Sequence, residues 1–222
     1  FAHEKVALSV GVQKMVRSDK ASSGVVFTLE PESGFRDIVH ISGVWGLGEN
    51  IVQGTVTPDE FYVFKPTLRK GKNPIIQKKL GGKEKTMIYN YDSDSPVKNI
   101  PTENEKREQF VLSDEEIIKI ARWAIITEDH YQKAMDIEWA KDGNSGEIFI
   151  IQARPETVHS QKNPLIVKEY HLLKKGNRLA EGNAIGSRIA TGVARILNSP
   201  AEAYKLNPGE IVVTDLTSPD WD

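Results

Sequence analysis

The 222-residue chain contains no cysteine. Disulfides, thiolate metal centres and a cysteine nucleophile are thereby excluded. No apolar run approaches the roughly 20 residues of a membrane-spanning helix, and no charged start leads into a short apolar core of the signal-peptide kind. Neither sign of charge dominates: 29 Lys and Arg face 31 Asp and Glu, for a net charge of −2. Such a balance supplies no global field for nucleic acid or a membrane surface, so neither is expected as a partner. An initiating Met is also missing. The chain starts at Phe1 inside folding sequence and stops at Asp222 in mid-pattern, which reads as a fragment that can bury a sizeable core.

The most informative stretch is Ala134 to Glu156, AMDIEWAKDGNSGEIFIIQARPE. Asp142-Gly143-Asn144-Ser145-Gly146 is turn chemistry between two runs rich in Ile, Trp and Phe, so the stretch is predicted to be a β-hairpin. With the turn centred near Asn144, even positions oppose even positions. Met135, Ile137, Trp139, Phe149, Ile151 and Ala153 then form a core face. The opposite face collects Asp136, Glu138, Gln152 and Arg154. Carboxylate and amide oxygens suit Mg²⁺, and a guanidinium suits phosphate. On spacing alone, the same face reads equally well as a solvent-facing polar strand pair.

Along the rest of the chain, Val6–Val16 is predicted as a strand, joined by the loop RSDKASSG to a second strand at Val25–Leu29. Ser22, Ser23 and Gly24 in that loop offer hydroxyls and backbone N–H groups, although any polar loop tip has this composition. Ile38–Val44 reads as a further strand entering WGLGENIVQGTVTPDEFYVFK, whose GLG is too short for a dinucleotide fingerprint. Lys65 to Lys85 holds eight Lys or Arg. Without interleaved aromatics it reads as a solvated hairpin edge. Ser113 to Tyr131 is predicted as a helix with a Ser113/Glu116 capping box and an apolar stripe at Ile117, Ile120, Ala121, Ala124 and Ile125. His130 at its end suits the helix dipole. A domain boundary is placed in Val158–Pro164, with His159 exposed. Beyond it, Ser199-Pro200 opens a helix and IVVTDL forms a strand.

The strings DIEWAKDGNSGEIFIIQARPETV, VQKMVRSDKASSGVVFTLEPESGF and WGLGENIVQGTVTPDEFYV closely resemble the phosphoenolpyruvate synthase (pyruvate, water dikinase) family, and the likeness runs collinear along the whole chain. It implies an α+β fold. Residues 1–160 would be the C-terminal part of an ATP-grasp nucleotide-binding domain, a mainly antiparallel sheet with helices. Residues 161–222 would begin a swivelling β/α phosphohistidine domain. By the same resemblance, Gln13, Met15 and Val16 lie along a strand edge that holds adenine, Glu138 and Gln152 ligate Mg²⁺, and Arg154 contacts the transferring phosphates of ATP. Glu49, Asn50 and Gln53 fall near the nucleotide cleft, with Asp59 and Glu60 weaker candidates.

The intact enzyme implied is a cytoplasmic, gluconeogenic phosphotransferase. It converts ATP, pyruvate and water into AMP, phosphoenolpyruvate and phosphate through a phosphohistidine. None of His3, His40, His130, His159 and His171 matches the family's phosphohistidine motif, so that residue and the pyruvate site are expected elsewhere, and the fragment alone is expected to be inactive. Oligomeric state stays open. The alternatives are a sister dikinase (pyruvate, phosphate dikinase or rifampin phosphotransferase) and a noncatalytic nucleotide-binding module.

Overall fold

The computed structural model describes residues 10–91, 95–157, 170–174, 176–178, 180–182 and 189–214. They belong to two compact units, one of Phe1–Glu30 with Phe35–Ser160 and one of Pro31–Gly34 with Gln161–Asp222. In chain order the strands are β1 (Ser22–Phe27), β2 (Ile38–Trp45), β3 (Asp59–Phe64), β4 (Ile75–Lys79), β5 (Lys85–Tyr89), β6 (Val97–Pro101), β7 (Met135–Lys141), β8 (Ile148–Pro155), β9 (Val193–Ile196) and β10 (Glu210–Val213). The α-helices are α1 (Glu49–Val52), α2 (Lys65–Arg69), α3 (Asn104–Arg107) and α4 (Asp114–Tyr131). None is long and apolar enough to cross a membrane among the described residues.

The first unit is built on a six-stranded sheet in the order β4-β3-β2-β1-β7-β8, each neighbouring pair antiparallel. This is the mainly antiparallel sheet with helices that the resemblance implies. Val26, Val39, Ile41, Phe61, Val63, Ile137 and Trp139 form one apolar face, and α4 covers it with Ile117, Ile120, Ala121, Ala124 and Ile125. The helix begins as its sequence predicts. Ser113 accepts from the Glu116 N–H while the Glu116 carboxylate accepts from the Ser113 N–H, satisfying two donors that the first turn leaves over. In the second unit, β9 and β10 pair in parallel. Ser199-Pro200 does open a helix, but a 3₁₀ helix, Pro200–Lys205, with no side-chain cap.

The N-terminal hairpin expectation is overturned. Residues 10–16 form no strand, because both edges of β1 are already taken by β2 and β7. Val10 and Val12 stand 89% and 97% exposed; Val6 to Ser9 lie outside the described residues. Ser22–Gly24 are strand, not loop tip. The Ser22 hydroxyl donates to the Val111 carbonyl at 3.3 Å and that of Ser23 to the Gly46 carbonyl at 2.6 Å, so neither is offered to an anion.

The basic segment is also mixed. Lys78 and Lys79 lie on the edge strand β4, as expected, but Lys65 and Lys83 are buried. Lys65 Nζ donates to the Thr28 carbonyl and to both oxygens of Glu128. Lys83 is fully enclosed and ion-paired with Asp59, whose carboxylate also accepts from the Gly81 N–H at 2.8 Å and the Val111 N–H at 2.9 Å. Removing one partner of such a pair strands the other charge. Lys83→Met is therefore expected to cost about 3–5 kcal/mol of stability, read as a shifted urea midpoint.

His40 on β2 is buried against the Tyr62 ring, at 4.7 Å between centroids, and neither imidazole nitrogen has a hydrogen-bond partner. Burial pushes its pKa below the usual 6.5, against the opposing pull of Glu60 and Glu30. The unfolded chain thus binds the proton more readily, and the stability that neutral His40 contributes above about pH 6.5 is lost as pH falls from there through the folded-state value. Melting temperature is expected to drop between pH 7 and pH 5, and His40→Phe to flatten that slope.

Candidate nucleotide-binding site

The face of the sheet turned away from α4 is polar, and its order follows from register. Cross-strand partners share a face. One row reads Gln152, Glu138, Val25, Ser42, Glu60, Lys79, and the next reads Arg154, Asp136, Phe27, His40, Tyr62, Gln77. Glu138 directly opposes Gln152, and Asp136 directly opposes Arg154, so the four residues share a face as the hairpin pattern predicts. Arg154 Nε and Nη2 both approach Asp136 Oδ2 at 2.8 Å, which aligns the guanidinium along the strand pair. Glu138 and Gln152 form no side-chain hydrogen bond among the described residues.

The pairing does not run evenly to the turn. A β-bulge follows Glu138, after which Trp139 faces Ile150 and Ala140 faces Phe149. The extra residue is Ile151. The expected core face is therefore half right: Met135, Ile137 and Trp139 are buried, but on β8 the core residues are Ile148 and Ile150. Phe149 and Ile151 are turned out of it, and Ala153 is exposed.

Beside Glu138 lies a cavity of about 420 Å³. Its walls are Gln13 to Val16, Ser23 to Val25, Leu47 to Glu49, Tyr89, Glu138 to Ala140 and Ile151. The site thus gathers Gln13, Met15, Val16, Glu49 and Glu138 from three separate stretches. Gln152 and Arg154 lie next to it on the hairpin rather than in its lining. Although residues 10–16 are not a strand, the end of the segment is tethered. The Arg17 N–H donates to Asp142 Oδ2 at 3.1 Å, and the Gly143 N–H to the Arg17 carbonyl at 3.0 Å. The backbone groups of Met15 pair with no other backbone group among the described residues, so both remain available at the cavity wall.

Asp142 holds the other end of this tether. It accepts from the backbone N–H groups of Arg17, Ser145 and Asn144, which hold its carboxyl at about 2. The predicted turn is thereby tied to the segment that forms one cavity wall.

Other expected residues separate. Asn50 is fully buried, donating to Asn99 at 2.8 Å and accepting from Thr55, and is structural. Gln53 donates to Glu49 at 2.7 Å without lining the cavity. Asp59 is the enclosed partner of Lys83, and Glu60 pairs with Lys79 at 3.0 Å at the other end of the row that begins with Gln152 and Glu138. Tyr89 and Ile151 were not expected; the first comes from a distant hairpin and the second from the bulge, and neither leaves a local sequence signal.

The back wall depends on small residues. A Cβ on Gly24 would lie 1.9 Å from the Ser42 carbonyl oxygen and 2.8 Å from Trp139 Nε1. That nitrogen donates to the same carbonyl at 3.2 Å, so strand pairing and indole meet there. Gly24→Ala is expected to cost about 1–3 kcal/mol, as overpacking does, and to shift the tryptophan emission of the folded protein.

The chain belongs to the pyruvate phosphate dikinase AMP/ATP-binding domain family, which matches residues 1–174. It is similar over its whole length to proteins named phosphoenolpyruvate synthase. It is 51% identical to that of Helicobacter pylori, 50% to that of Aquifex aeolicus and 48% to that of Synechocystis. The chain spans 29%, 27% and 28% of those three relatives.

Proposed function

We propose that this chain supplies one side of a magnesium–ATP site in a pyruvate, water dikinase. The observation that carries the reading is the facing of Glu138 and Gln152, with Asp136 and Arg154 one step along the same face, beside the cavity. Glu138 and Gln152 offer one carboxylate and one amide oxygen, neither engaged elsewhere among the described residues. Two hard oxygen donors fit Mg²⁺, which keeps its other positions for water and phosphate. When bound, the ion neutralises charge developing on the transferring phosphoryl group.

The chain's own residues supply binding and orientation. The apolar walls at Val16, Val25, Leu47 and Ile151 exclude water from a planar base, and the free backbone groups of Met15 read its edge. Gln13 borders the same space. Arg154, held by Asp136 through Nε and Nη2, keeps Nη1 for phosphate, a preorganised donor of the kind that stabilises transition-state charge. In the whole protein, we take the terminal pyrophosphoryl group of ATP to pass to a histidine in a swivelling domain that begins near residue 161, leaving AMP; water then releases its outer phosphate, and the phosphoryl group left on histidine passes to pyruvate to give phosphoenolpyruvate. The similarity to phosphoenolpyruvate synthases supports this assignment. A cytoplasmic, gluconeogenic role is part of the same proposal.

The test uses the full-length protein. Arg154→Ala is expected to lower transfer of radiolabel from ATP to histidine by at least about 10²-fold while circular dichroism stays that of the wild type. Glu138→Ala is expected to raise the Mg²⁺ concentration needed for ATP binding. Unchanged phosphohistidine formation in the arginine variant refutes the role given to Arg154.

A further inference from the structure

The cavity has walls rich in aliphatic side chains but few aromatic ones. Trp139 borders it, yet that side chain is 1% exposed, packed in the core and committed through Nε1 to the Ser42 carbonyl. Tyr89, half-buried at the end of β5, is the other aromatic ring in the lining.

Its position is held from several directions. The Tyr89 hydroxyl donates to Met15 Sδ at 3.3 Å, and the Arg17 guanidinium lies 5.7 Å from the ring centroid. Met15 is itself part of the cavity wall whose backbone is free. The hairpin carrying the ring is fixed to the loop forming the adjoining wall. Gly46 bridges to Met87, the Leu47 N–H donates to the Met87 carbonyl at 2.9 Å, and Asn50 reaches Asn99 on β6. At Gly46, φ is +85° and a Cβ would lie 2.3 Å from the Met87 carbonyl oxygen, so the approach of hairpin to loop requires glycine.

We propose that Tyr89 is a base-recognition residue, its ring forming the aromatic platform on which the nucleobase rests. The inference builds on the nucleotide reading of the site above and adds a residue from outside the hairpin. An aromatic face accepts any nucleobase, whereas the backbone of Met15 discriminates by hydrogen bonding. The two functions are mechanically coupled through the hydroxyl–sulfur contact, which ties the platform to the segment that reads the base edge.

The experiment compares Tyr89→Leu and Tyr89→Phe in the full-length protein, by calorimetric titration with Mg-ATP and, separately, with Mg-pyrophosphate, which has no base. Leucine keeps apolar bulk without the π face; phenylalanine keeps the ring without the hydroxyl. The expected result is an ATP Kd raised about tenfold or more in Tyr89→Leu, the loss of one stacked base, with the phenylalanine variant within about threefold of wild type and pyrophosphate binding equal in all three. Wild-type ATP affinity in Tyr89→Leu overturns the proposal, as does a parallel loss of ATP and pyrophosphate, which marks a structural role only. If the wild-type protein binds Mg-pyrophosphate and Mg-ATP equally, there is no base subsite and the platform falls while the phosphate site stands. If it binds neither, the nucleotide reading itself falls and Tyr89 with it.

Discussion

The enclosed carboxylate of Asp59 is the constraint from which much of the first unit takes its arrangement. It stands at the first residue of β3 and receives three donors from two other parts of the chain: the Lys83 ammonium and the Gly81 N–H from one, and the Val111 N–H from the other. Lys83 adds a bond to the Gly81 carbonyl at 2.9 Å, and Arg107 Nε donates to the neighbouring Gly82 carbonyl at 2.8 Å. A buried ion pair contributes little net stability by itself, since desolvation offsets attraction. Its value here is geometric. One side chain fixes where the sheet ends, where the β5–β6 hairpin departs and where the chain turns into α4.

The cavity inherits that order. One wall is the hairpin launched from the Asp59–Lys83 knot, another is the tethered segment ending at Arg17, and the floor is sheet. The sheet's two faces divide the work: one is apolar and sealed by α4, while the other carries rows of cross-strand partners that begin with Gln152 and Glu138 and end with Glu60 and Lys79. Gly24 and Gly43 leave room for Trp139 on the apolar face, and a methyl group on either glycine would crowd its indole.

What could be read from the sequence was whatever had a short-range cause. The capping box, the 3.6-residue stripe of α4 and the turn at Asp142 to Gly146 depend on neighbours within a few residues, and each is present in the structure. The shared face of Asp136, Glu138, Gln152 and Arg154 could be read from alternation, but their direct facing depends on the bulge at Ile151, which shifts the register set by the turn. Residues 10–16 were misread because alternation signals an extended chain but says nothing about whether a partner edge is free. Lys83 was misread because a lysine-rich composition averages over a residue whose partner lies 24 positions away. Tyr89 could not be foreseen, since its place at the cavity depends on how a whole hairpin docks.

The bulge after Glu138 has a consequence for how this hairpin tolerates change. It divides the strand pair into two segments with different registers: an outer one holding the polar pairs and an inner one holding Trp139 against Ile150. An irregularity of this kind can absorb a one-residue shift. Turn length at Asp142 to Gly146 is thereby buffered from the chemistry, and an insertion or deletion there can be taken up at Ile151 while Glu138 and Gln152 keep facing each other.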